Sequence, residues 1–262
     1  MKRFLFALVC ALSAFQNVSA QTVQIGTGTL IPPNTLYSPV YRFTATSTTT
    51  HTRSNILFSQ AEMAAAGIPA GATITSIEFN KTNAANFTTP ASHRVYMANT
   101  SNTSLATSLT WASVLTTHTQ VYNNTSFNLP GTAGWVMWTI TPFVYTGGAL
   151  EIATETQMGG NGGATDNFEW QYTAGTATMI VGATGTSYPA TLNCGVAAYK
   201  HRPNIRITYS SGPCTDPPTP GDATATPSSN VCPGTNVALN LVNNSSGSGQ
   251  TYQCESSPNN TI

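Results

Sequence analysis

GWVMWTITPFVYTGGALEIATE, residues 134–155, carries two runs of strict alternation. Val136, Trp138 and Ile140 alternate with Met137, Thr139 and Thr141, the period-two spacing that puts apolar side chains on one face of a strand. Leu150 and Ile152 resume the pattern, with Glu151, Ala153 and Glu155 on the opposite face. Between the runs, Pro142 removes a ladder donor, and Gly147-Gly148 permits backbone conformations closed to other residues. The stretch reads as strand, bend, strand: two neighbouring elements of one buried sheet.

Working outward, the same texture holds on both sides. Towards the N-terminus come TVQIGTGT, closed by Gly26 and Gly28, and a second strand around Tyr41 and Phe43. Ile56-Leu57-Phe58 ends another strand, after which Ser59 and Glu62 frame the alanine-rich QAEMAAA as a capping box would, predicting a short helix stopped by Gly67. Ile74, Ile77 and Phe79 do not share one parity, so a bulge is expected near Ser76. HRVYMANT gives a strand with Val95 and Met97 on one side. Leu105 to Leu115 fits either a packed loop or a short helix, and HTQVYNNTSFNL reads as a strand pair turning at Asn123-Asn124. On the C-terminal side, MGGNGGATDNFEWQY is a glycine-rich loop entering a strand, TATMIVG a further strand, and RPNIRITY the last. Roughly ten short strands separated by turns, with almost no helix, predict an all-β fold, a two-sheet jelly-roll-like β-sandwich over residues 21–209.

Composition bounds the setting. The chain opens with MKRFLFALVCALSAFQNVSA, in which Lys2 and Arg3 precede an apolar run and Val18-Ser19-Ala20 supply small residues, so residues 1–20 read as a signal peptide cleaved before Gln21. No later stretch is long and apolar enough for a transmembrane helix. A secreted protein, extracellular or attached to the cell surface, is the expectation. Only 7% of residues are charged and the formal net charge is zero, which excludes the basic patch that nucleic acid requires. Hydrophobic residues at 40%, placed in alternating runs, are enough for a core. Cys194, Cys214, Cys232 and Cys254 survive export, and four cysteines allow three pairings among which sequence does not choose.

After Tyr209 the texture changes. SSGPCTDPPTPGDATATPSSN, residues 210–230, has five prolines and reads as an inter-domain linker. In residues 231–262, Val237, Leu239 and Leu241 alternate and Tyr252 starts another strand, as at the front of a second β domain cut short. The motifs IGTGT, ILFSQAEM, AGATITSIEFN, PFVYTGG and RPNIRITY, in that order, resemble a module of secreted multidomain proteins of the Bacteroidetes. Such proteins are commonly exported by the type IX system and displayed at the surface. The tail VCPGTNVALNL…GQTYQCESSP is similar to the immunoglobulin-like or PKD-like repeats that often follow; those repeats usually carry tryptophan where Cys254 stands here.

Chemistry-bearing residues are sparse. His51, His93, His118 and His201 fall on separate segments with no metal-ligand spacing, and no G-x-S-x-G elbow accompanies the serines. Glu151 and Glu155 share a strand face and in principle form an acid/base pair, although solvated strand carboxylates are the expected case. Asn161, Asp166, Asn167 and Glu169 offer the hard oxygens calcium prefers, on a loop without a calcium motif; no cofactor is expected beyond that ion. Among the tryptophans, Trp138 shares its face with Val136 and Ile140 and reads as core, whereas Trp135 and Trp170, beside glycine-rich or acidic loop residues, are the candidates for a surface stacking site. The expected role is a non-catalytic extracellular module serving adhesion or domain spacing. Its partner would be an extracellular ligand, a glycan or a host or matrix protein. The alternative is an ancillary substrate-binding domain of a secreted hydrolase.

Overall fold

The computed structural model describes residues 20–31, 38–40, 49–158, 167–175, 177–193, 200–211, 222–228, 232 and 234–242. Its described residues fall into two compact units, Ser19–Ser210 and a second that holds the C-terminal segments from Ser211 onward.

The first unit is all-β. Its strands are β1 (Ala20–Ile25), β2 (His51–Phe58), β3 (Thr73–Lys81), β4 (Ala91–Thr100), β5 (Ser108–Thr110), β6 (Thr119–Phe127), β7 (Gly134–Val144), β8 (Ala149–Gln157), β9 (Tyr172–Ala174), β10 (Ile180–Gly185), β11 (Thr191–Asn193), β12 (His201–Pro203) and β13 (Ile205–Ser210). Two short helices interrupt them, α1 (Gln60–Ala65) and α2 (Trp111–Thr117). A four-stranded antiparallel sheet, ordered β1-β13-β3-β7, packs against a seven-stranded one, ordered β5-β11-β10-β2-β8-β4-β6. One apolar core joins the inner faces: Trp138, Ile77, Phe79 and Ile207 from the first sheet meet Ile56, Met97, Leu150 and Ile152 from the second. The chain is therefore a β-sandwich. No helix among the described residues is long and apolar enough to cross a membrane.

The alternation at residues 134–155 is realised, but its two halves part company. β7 is an edge strand of the four-stranded sheet, while β8 lies inside the seven-stranded sheet between β2 and β4. Neighbours in one sheet were the expectation; instead the bend carries the chain from one layer of the sandwich to the other. Gly147 and Gly148, at φ +89° and +90°, supply the backbone freedom for that crossing. A Cβ on Gly148 would also stand 2.8 Å from the Thr100 carbonyl oxygen, so glycine is required for close packing there.

Other elements follow their sequence signals. The Glu62 carboxylate accepts from the Ser59 amide and hydroxyl, at 3.0 and 2.6 Å, which starts α1 where the capping pattern placed it. The register of β3 against β7 slips between Ile74 and Ser76, and this bulge buries Ile74, Ile77 and Phe79 together despite their parity. The ambiguous stretch around residue 111 becomes α2, capped by the Thr110 hydroxyl, which accepts from the Ser113 amide.

Three expectations fail or fall outside. HTQVYNNTSFNL is one strand, β6, and not a turning pair: Asn123 and Asn124 pair across to Arg94 and His93, so β4 supplies a partner that competes successfully with a turn. The strand expected at Tyr41 and Phe43 lies outside the described residues. In the second unit, β14 (Asp222–Thr226) sits within the stretch expected to be linker and pairs antiparallel with β15 (Ala238–Val242). Cys232 is exposed, and Cys194, Cys214 and Cys254 lie outside the described residues.

Candidate functional site

β8 is buried on both faces, from Ala149 through Thr156. Its inner face belongs to the core. Its outer face carries Glu151, Ala153 and Glu155, over which the segment from Leu105 through α2 closes, with Leu105, Trp111 and Val114 packing on Leu57, Tyr96, Ala153 and Val181. Two carboxylates expected in solvent are thus 5% and 4% exposed, a correction that follows from this extra layer.

Each carboxylate is held by cross-strand partners. Arg53 on β2 and Arg94 on β4 stand directly opposite Glu155 in the ladder. Arg53 donates to Glu155 Oε2 from Nε at 2.7 Å and from Nη2 at 2.5 Å; Arg94 Nη1 donates to Oε1 at 2.5 Å. The remaining Arg53 nitrogen, Nη1, donates to the Pro189 carbonyl, and the guanidinium lies 4.5 Å from the ring centroids of both Trp111 and Tyr188. Hydrogen bonding to Glu155 outweighs burial and raises the Arg94 pKa, so that cation persists throughout the working range. Burial, together with the Glu155 charge, raises Tyr96 and Tyr188.

Glu151 sits two pleats away on the same face of β8. Asn55 Nδ2 donates to its Oε2 at 2.7 Å and Asn102 Nδ2 to its Oε1 at 2.8 Å, while His118 Nε2 lies 3.4 Å from Oε2. Burial pushes this carboxyl up, but the close approach of His118 and the hydrogen bonds from Asn55 and Asn102 outweigh it and hold the group below the usual carboxylate range. Four residues of strand separate the two glutamate Cα atoms, about 13 Å at the usual rise. Glycosidase carboxyl pairs stand roughly 5 to 9.5 Å apart and need one member raised. Here the two side chains are bound to different partners, and Glu151 is lowered where a glycosidase acid is raised.

Beside Glu151 an open groove of about 570 Å³ runs between the start of α1, the end of β4 and the turn leading into β8. Asn99, Asn102, Thr103, Thr146 and Gly148 are on its wall, and none of its lining residues carries a titratable side chain. Asn99 braces the turn, donating through Nδ2 to the Val144 carbonyl and accepting at Oδ1 from the Thr146 amide, both at 3.0 Å. Asn102 links the groove to Glu151.

The residues singled out in the sequence divide. Trp135 is half-buried on the outer face of the four-stranded sheet, with the Arg206 guanidinium 4.1 Å from its ring centroid. Trp170 is corrected from surface to core: it is 3% exposed, its Nε1 donates to the Val40 carbonyl, and its ring lies 6.2 Å from Trp138. The acidic neighbours in sequence misled because Trp170 forms a bridge with Lys81 that turns its ring inward. Asn161 and Asp166 lie outside the described residues. Of their companions, the Asn167 carbonyl accepts from Asn83 and Glu169 Oε2 from the Thr82 hydroxyl at 3.3 Å. No group of three His, Cys, Asp or Glu able to hold a metal occurs among the described residues. The sequence did not single out Arg53, Arg94, Asn55 or Asn102. The available signal was scarcity: only nine Lys and Arg occur in the chain, and Arg53 and Arg94 both sit on strands.

Comparison with family models and with curated proteins finds no match. Among solved structures the chain is similar to one containing the cysteine protease and lectin-like domains of a surface-layer-associated protein of Clostridium difficile. The TM-score is 0.37 and identity 9%, covering 62% of this chain and 32% of that one, so the likeness takes in about a third of that protein.

Proposed function

We propose that this chain is a secreted, non-catalytic module that holds an extracellular ligand at the groove beside Glu151, serving adhesion or domain spacing in a surface-associated protein. The observation that carries the reading is the groove itself: about 570 Å³ of open, uncharged, hydroxyl- and amide-bearing surface, backed by a carboxylate already engaged by Asn55 and Asn102. A binding surface needs fixed polar groups on a rigid base, and the strand ends of β4 and β8 supply one. The signal-peptide pattern and the order of short motifs support a secreted module of the Bacteroidetes multidomain kind. That the groove opens at the ends of strands, where a polymer chain can lie across it, supports the second reading, an ancillary substrate-binding domain of a secreted hydrolase.

Ser101 lines the groove and is exposed, so Ser101→Trp fills it without disturbing the core. The full mature chain, immobilised and probed with arrays of glycans and matrix proteins, is expected to retain ligands that the Ser101→Trp variant loses. Identical array profiles for the two proteins would remove the groove from the account.

A further inference from the structure

The geometry points to a neutral, polyhydroxylated oligosaccharide as the groove's ligand, with Asn102 as the acceptor that recognises it and Glu151 as the residue that orients Asn102. This rests on the reading of the groove as a ligand site and narrows it to a chemical class.

The argument begins with the Asn102 amide. Its Nδ2 donates to Glu151 Oε1 at 2.8 Å. An ionised carboxylate only accepts, so the amide has one orientation open to it, with nitrogen towards Glu151 and Oδ1 on the opposite side. The approach of His118 and the hydrogen bonds from Asn55 and Asn102 keep that carboxyl ionised at neutral pH. Of the other two amides of the wall, Asn99 has its nitrogen and oxygen both engaged in the turn, and Gln60 is an exposed side chain at the start of α1. What the groove presents is therefore a fixed acceptor at Asn102 together with the adaptable amide of Gln60 and hydroxyls of Ser101, Thr103 and Thr146, set among the carbon surfaces of Ala61, Ala149 and the threonine methyls.

Other ligand classes fit this wall poorly. A charged group would lose hydration and meet no counter-charge, since no lining side chain is ionisable. A peptide binding by strand addition needs an open edge, but Thr100 and Ala149 already pair with each other where β4 and β8 meet. A hydrocarbon would leave Asn102 Oδ1 and the hydroxyls unsatisfied. A sugar supplies hydroxyl donors for the acceptor and C–H faces for the aliphatic carbons.

The test follows backbone amide signals of the isotopically labelled full mature chain during titration. The probes are cellohexaose, xylohexaose and mannohexaose, an oligogalacturonate as anionic comparator, and a proline-rich peptide. At least one neutral hexasaccharide is expected to shift Asn102, Thr103 and Gly148 with Kd at or below about 1 mM. Asn102→Ala should weaken it by about tenfold or more, the scale of one lost hydrogen bond to a fixed polar site. Met137→Thr, on an exposed position of the other sheet, should leave it unchanged. Shifts at the groove from the oligogalacturonate or the peptide alone would overturn the ligand class while leaving the binding-module reading in place. So would silence of all three neutral probes alongside an array ligand that Ser101→Trp abolishes. A hexasaccharide bound equally by Asn102→Ala would overturn the recognition role of Asn102. Silence in both experiments would overturn both readings.

Discussion

At the residue scale, two side chains in the core carry the sharpest expectations. Trp138 is 1% exposed and packs at ring-centroid distances of 5.6 Å from Phe79 and 5.9 Å from Phe127. Trp138→Ala should cost about 3–5 kcal/mol through the cavity it leaves, measured by chemical denaturation. His93 is fully buried, stacks 4.6 Å from Phe127 and shares a hydrogen bond with the Thr156 hydroxyl at 2.8 Å. Burial pushes its pKa from 6.5 down to about 3. A group lowered in the folded state is protonated first in the unfolded chain, so its contribution is complete above pH 6.5 and is lost as pH falls towards 3. The loss over that window is on the order of 4 kcal/mol. His93→Phe should flatten the fall in stability between about pH 6.5 and about pH 5.5, a range in which exposed carboxylates barely titrate. An undiminished slope in the variant would assign the acid sensitivity elsewhere.

At the element scale, β8 depends on its neighbours for charge as well as hydrogen bonding. Glu155 is 5% exposed at the side chain and compensates Arg53 and Arg94 at once, so a single truncation strands buried charge. Glu155→Gln should cost about 3–5 kcal/mol. Arg53→Met should also destabilise, and the double variant should cost measurably less than the sum of the two, since each removes the other's partner. Additive costs would mean that the pair does not act as a unit. β3 offers a second test. Its bulge between Ile74 and Ser76 reconciles odd and even apolar positions. Deleting Thr75 leaves Ile74-Ser76-Ile77-Glu78-Phe79, in which the three apolar residues alternate strictly and keep the core face without a bulge, so the expected outcome is a retained cooperative melt, and its loss would mean that the bulge does more than reconcile parity. The bulge was legible because mixed parity in a buried strand has few other remedies. The burial of Glu151 and Glu155 was not, since it depends on α2, whose docking over β8 joins residues some forty positions apart.

At the scale of the whole molecule, β13 closes the sandwich by pairing with both β1 and β3, ending at Ser210. Those two ladders lie within the first unit, whose core is drawn from residues between Ile25 and Tyr209, and β14 and β15 pair with each other, with Leu239 and Val242 exposed. A chain ending at Ser211 should therefore melt within a few degrees of the full chain; a large drop would show that the first unit leans on the second.

The strands β1, β2, β3, β4, β7, β8, β10 and β13, the capped α1, the bulge in β3 and the core face of Trp138 were readable from residue order. Each rests on local rules: alternation, a capping pattern or a conflict of parity. Tertiary structure alone assigned β7 and β8 to opposite layers, drew Trp170 inward, kept β6 in one piece and set two glutamates beneath α2. Those outcomes depend on which distant segment arrives as partner. Burial is a property of what covers a residue, and alternation within one strand says which face a side chain takes, not what will lie over it.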